Sequence, residues 1–121
     1  MSEGKAYKPT VVFDFDGVVH KYDTKWSGVE IISDGPVDGI KEAIKEIRKE
    51  YEVVIVSTRS ASPEGMKAIQ DWLDINVIEV DRICSEKPPA IVYIDDRAIT
   101  FDGESSTLLE KIKVFKPWNK K

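Results

Sequence analysis

Thr10-Val11-Val12-Phe13-Asp14-Phe15-Asp16-Gly17 is an apolar, β-branched run that ends in two aspartates one residue apart, with glycine directly after them. Such a run reads as a buried strand with two carboxylates emerging at its carboxyl end. Like charges that close raise each other's pKa unless a cation sits beside them. A hard divalent ion such as Mg²⁺, which favours carboxylate and water oxygens, is the usual solution. Glycine lets the chain turn sharply after the strand. A strand ending in solvated acids with a turn glycine is the plainer alternative. An EF-hand loop is excluded, because its glycine falls at the sixth position and this one falls at the fourth, counted from Asp14.

Working outward, residues 18–36 read as a long connection broken by Gly28, Gly35 and Pro36, with room for a short strand or hairpin at 28–32. A helix is expected from Pro36, carrying Ile40, Ala43, Ile44, Ile47 and Tyr51 at helical spacing. Residues 52–57 form a second strand whose Val53-Val54-Ile55-Val56 is apolar on both faces, as a central parallel strand is. Ser62 and Pro63 open a second helix as N-cap and first residue, with Met66, Ile69, Trp72 and Leu73 facing inward. Strands are expected at 77–80 and 90–94, the latter ending in Asp95-Asp96. A last helix spans 106–112, Val114-Phe115 forms an edge strand, and the tail from Lys116 to Lys121 lies on the surface.

This alternation predicts an α/β fold with right-handed crossovers and a mostly parallel sheet between helix layers. Ligands of such sheets bind at the carboxyl ends of the strands. Those ends deliver Asp14 and Asp16, then Ser57 with Thr58 and Arg59, then Lys87 before the fourth strand, then Asp95 and Asp96. A nucleophile, an acid/base, a hydroxyl, cations and further carboxylates are the parts phosphoryl transfer needs.

The bulk composition fits this picture. The chain has 121 residues, 41% hydrophobic and 33% charged, which is enough for one domain with a real core. A net charge of −4 gives no general attraction to nucleic acid or anionic membranes. No apolar run is long enough to span a membrane, Met1–Lys5 lack a signal-peptide core, and Cys84 is the single cysteine, so a reducing cytoplasm is the expected location.

Asp14-Phe15-Asp16-Gly17, Ser57, Lys87 and Asp95-Asp96 together resemble the four motifs of the haloacid dehalogenase-like (HAD) hydrolases. Five wider stretches are similar to small HAD-like proteins of phages and prophages: 14–20, 57–60, 86–90, 94–98 and 115–119. The resemblance implies a three-layer Rossmann-like core and a phosphatase using Mg²⁺. Asp14 would attack phosphorus and form an aspartyl-phosphate; Asp16 would protonate the leaving alcohol, then activate water, and bind metal through its backbone carbonyl. Ser57 would bind a phosphoryl oxygen, with Thr58 and Arg59 beside it. Lys87 would neutralise phosphate and hold Asp14, and Asp95 and Asp96 would complete the metal site. An acid at Asp16 favours phosphate esters over halides, since a halide leaves without a proton. Val18 departs from the family's usual Thr.

Neither inter-motif gap has room for a cap domain, so the resemblance is to a capless member with an open site. Phosphorylated nucleotides, nucleic-acid ends or proteins fit it, as do small molecules if the flap or a second subunit of a homo-oligomer closes it. The flap 20–26 mixes cations with aromatics and offers a base-stacking surface, although an ordinary loop with Trp26 tucked against the core is the simpler reading. His20 reads as a loop residue. Arg59 and Arg97 either grip a substrate phosphate or pair with nearby acids. Two other classes compete: a non-catalytic metal- or phosphate-binding accessory module, and a phosphotransferase, which usually wants a cap to exclude water.

Overall fold

A computed structural model describes residues 7–118. The expectations for Met1–Lys5 and for the tail beyond Trp118 lie outside those residues.

The chain runs β1 (Thr10–Asp14), α1 (Ile40–Ile47), β2 (Glu52–Val56), α2 (Pro63–Ile75), β3 (Arg82–Cys84), β4 (Val92–Ile94) and α3 (Leu108–Val114). The four strands form one sheet in the order β3-β2-β1-β4, and every pairing is parallel. The expected α/β class and parallel sheet are therefore present, and the alternation of strands and helices holds with the third strand at 82–84 instead of 77–80. From β1 the chain steps to β2 and β3, then returns to the far side of β1 to lay down β4. The reversal falls between β1 and β4, where open α/β sheets place their ligand crevice.

Register explains what meets there. Phe13 pairs with Ile94 and Asp14 with Val56. The next residues along β4 and β2 are Asp95 and Ser57, so all three sequence signals arrive at one end of the sheet. Val11, Phe13, Val53 and Ile55 pack with Phe15, Val19, Ile44, Ile69, Trp72 and Leu73 as the buried core. Each such side chain stabilises the fold by roughly 1.5–3 kcal/mol relative to exposure. Ser62 caps α2 by accepting the Gly65 N–H at 3.1 Å, as its sequence signature foretold. Gly65 itself is required by packing: a Cβ there would lie 2.7 Å from the Arg59 carbonyl carbon.

Several boundaries differ from the sequence reading. The first helix starts at Ile40 rather than Pro36, after Gly39 at φ 81°. Residues 77–80 are not a strand. Val77 takes φ 56°, and the Ile78 N–H bonds back to Leu73 O at 2.9 Å, so this apolar run closes α2 and plugs the core with Ile78. Pairing starts only after Asp81, whose N–H donates to Val53 O and whose carboxylate accepts the Val53 N–H. Residues 28–32 form no strand or hairpin: the Ile31 N–H bonds to Gly28 O in a turn, and the carbonyls of Gly28, Val29 and Ile31 accept from Arg59. Val114 ends α3 and Phe115 caps it, so the expected edge strand does not form. α3 buries none of its residues. No helix among the described residues is long and apolar enough to cross a membrane.

Candidate active site

Asp14 is the last residue of β1, and Asp95 follows the last residue of β4. Their carboxylates and that of Asp96 can bring ligand atoms within 4.8 Å of one another. Asp96 reaches this position because residue 17 has no side chain: a Cβ on Gly17 would stand 2.6 Å from Asp96 Cγ, and Gly17 holds φ 87°. Asp95 is oriented by accepting the Arg97 N–H at 2.8 Å. Burial, then the Asp95 charge and a hydrogen bond with Asp96, push the Asp14 carboxyl up to about 7 against the pull of the Phe15 N–H. Three crowded, half-buried carboxylates fit a hard divalent cation in donor chemistry and charge.

Asp16 lines a cleft with Asp14 and Asp96 but stands outside the three-acid group. Arg59 Nε donates to both its oxygens, at 2.9 and 3.2 Å, and His20 Nδ1 lies 2.8 Å from Oδ1. The Asp34 N–H donates to His20 Nε2 at 3.0 Å, so Nε2 is the acceptor and Nδ1 carries the proton given to Asp16. The His20 ring is buried between Phe15, stacked at 5.5 Å, and Trp72, edge-on at 5.7 Å. It is thus a buried partner of Asp16 rather than a simple loop residue. The four-residue spacing from Asp16 to His20, across Gly17-Val18-Val19, was the available signal.

Arg59 is 1% exposed. Besides Asp16, its Nη1 donates to the carbonyls of Gly28, Val29 and Ile31 at 2.9, 2.9 and 3.0 Å. Of the two readings of Arg59, this is the pairing one: the guanidinium ties the segment after the flap, at Gly28, Val29 and Ile31, to the carboxylate of Asp16. Trp26 lies over Arg59, 4.5 Å from Cζ to the ring centroid. Trp26 is 45% exposed rather than tucked into the core.

Ser57 N-caps the short 3₁₀ turn Thr58–Ala61, its Oγ accepting the Arg59 N–H at 3.1 Å while Ser60 Oγ accepts the Ser57 N–H. Ser57 and Thr58 line a cleft of about 310 Å³ with Asp14, Asp16 and Asp96. Tyr22, Trp26 and Arg97 complete its walls. Lys87 is not among the cleft's lining residues: its Nζ lies 4.0 Å from Asp95 and 5.4 Å from the Tyr93 ring centroid. Its described partner is therefore Asp95 rather than Asp14. The turn at Gly17 is also held from the other end of the chain: Trp118 Nε1 donates to Gly17 O at 2.6 Å across a separation of 101 residues.

Compared with protein-family models, curated proteins and solved structures, the chain matches none.

Proposed function

We propose that this protein is a Mg²⁺-dependent phosphomonoester hydrolase of the HAD-like type, with a capless, three-layer Rossmann-like core and an aspartyl-phosphate intermediate. The observation that carries the reading is the convergence of Asp14, Asp95 and Asp96 at the sheet's switch point, with Asp14 and Asp96 lining a cleft shared with Asp16 and Ser57. Asp14, Asp95 and Asp96, with the Asp16 carbonyl, would hold the cation, which supplies charge neutralisation for phosphate oxygens.

An Asp14 oxygen attacks phosphorus as the bond to the leaving alcohol breaks, and Asp16, entering this step in its protonated form, gives that alcohol its proton. Asp16 then takes a proton from water as water attacks the phosphoryl group, releasing inorganic phosphate and restoring Asp14. Arg59 and His20 position Asp16 for both steps. Ser57 and Thr58 bind phosphoryl oxygens, and Lys87 lends positive charge beside Asp95. Rapid acid quenching during turnover tests the route: the phosphoryl group belongs on the peptide holding Asp14, and its absence there counts against the covalent path.

One observation favours the alternative, a non-catalytic metal- or phosphate-binding module. Asp16 has structural work on Arg59 and His20 that does not need acid/base chemistry. A protein that binds Mg²⁺ and phosphate but turns over no ester would fit that module.

A further inference from the structure

The cleft has a fixed aromatic wall. Arg59 is held at Nε by Asp16 and at Nη1 by three backbone carbonyls, so its plane cannot swing. Trp26 rests on that plane at 4.5 Å and is positioned by it. Close to half of the Trp26 surface stays open, and the ring lines the same cleft as Asp14 and Ser57. Leaving a large indole exposed forfeits burial energy that a core position would recover. A flat ring presented beside a phosphoryl site matches a flat leaving group. Tyr22, whose backbone is held at φ 58°, adds a second aromatic to the same cleft.

We infer that Trp26 is a stacking platform for the leaving group, and that the favoured ligand is a phosphomonoester carrying a nucleobase, free or at the end of a strand. Turnover of that ligand rests on the hydrolase reading; its binding does not. The cleft, at about 310 Å³, sits at the small end of organic-ligand sites and suits one nucleotide. A net charge of −4 gives no general pull on a long phosphodiester backbone, and the proposed recognition is confined to the terminal residue.

The test is binding to the wild-type protein in Mg²⁺, with each phosphate ester replaced by its non-hydrolysable phosphonate, followed by calorimetry and tryptophan fluorescence. Probes are adenosine 5′-monophosphate, a 5′-phosphorylated dinucleotide and ribose 5-phosphate, which keeps the phosphate but has no base. The expected result is base-dependent tightening of roughly tenfold, within the range of single-base stacking. Trp26→Ala removes the tightening and leaves ribose 5-phosphate binding unchanged, while Trp26→Phe retains most of it. A dinucleotide bound as tightly as the mononucleotide assigns the strand end; a weaker one assigns the free nucleotide. Equal affinity for ligands with and without a base, no binding of any of them, or a preference that survives Trp26→Ala overturns the inference. The two readings fail separately. Trp26-dependent binding with no phosphate release by the wild type sinks the hydrolase alone. Release at equal efficiency from all esters, unchanged by Trp26→Ala, sinks the stacking role alone.

Discussion

Asp14→Asn should make the metal-free protein more stable at neutral pH and above. In the fold the Asp14 carboxyl is raised from 3.8 to about 7 by burial and by the acids at its side. The folded state therefore holds a proton that the unfolded chain releases at lower pH. Stability linked to this proton is fully present below about 3.8 and is lost as pH rises through about 7. At about 1.4 kcal/mol per pH unit, that interval sets a ceiling of roughly 4 kcal/mol. Water reaches one side of Asp14, and screening brings the expected loss to roughly 2 kcal/mol. For a chain of this size that is on the order of 8 °C in Tm. The assay is urea and thermal unfolding of wild type and Asp14→Asn with a chelator, from about pH 4 to about pH 8. The two proteins should match at the acid end, and the variant should lead at the other. Mg²⁺ at the higher pH should restore the wild type and do less for the variant. Parallel curves across the whole range would refute the reasoning.

Gly17→Ala forces a left-handed backbone onto alanine and drives Asp96 out of the carboxylate group, so Mg²⁺ affinity by calorimetry should fall about tenfold or more. Arg59→Lys removes the planar fork that serves Asp16 and three carbonyls at once, and urea unfolding should register a loss of about 3–5 kcal/mol, the cost of breaking a buried pair. Trp118→Phe deletes the donor to Gly17 O; stability should fall by only about 1 kcal/mol, while phosphate release, which depends on that turn, should slow several-fold.

Much of the site was legible because it depends on strand ends. Apolar runs that finish in Asp14 or Asp95 announce both the strand and what it delivers, and parallel register does the rest. Ser62-Pro63 marked the start of α2 because capping chemistry is local. What sequence could not convey is where a chain path returns. His20 reads as a loop residue until the turn at Gly17 carries it back under Asp16 and α2 brings Trp72 over it. Arg59 offered two roles, and its bonds to Asp16 and to the carbonyls of Gly28, Val29 and Ile31 distinguish them. Apolar residues at 77–80 mimic a strand, yet a positive φ at Val77 converts them to a helix-closing turn. The Trp118 contact joins opposite ends of the chain and has no local signature.

The central claim is that Asp14 is a nucleophile toward phosphorus in a Mg²⁺-dependent reaction. Phosphate release from a panel of sugar phosphates, nucleotides and phosphorylated oligonucleotides, with Mg²⁺ or with chelator, tests it most directly when wild type is set beside Asp14→Asn. At least one ester should be turned over in a reaction that requires Mg²⁺ and disappears in Asp14→Asn. Turnover that persists in Asp14→Asn, or no release from any ester by a folded wild type in Mg²⁺, would contradict it.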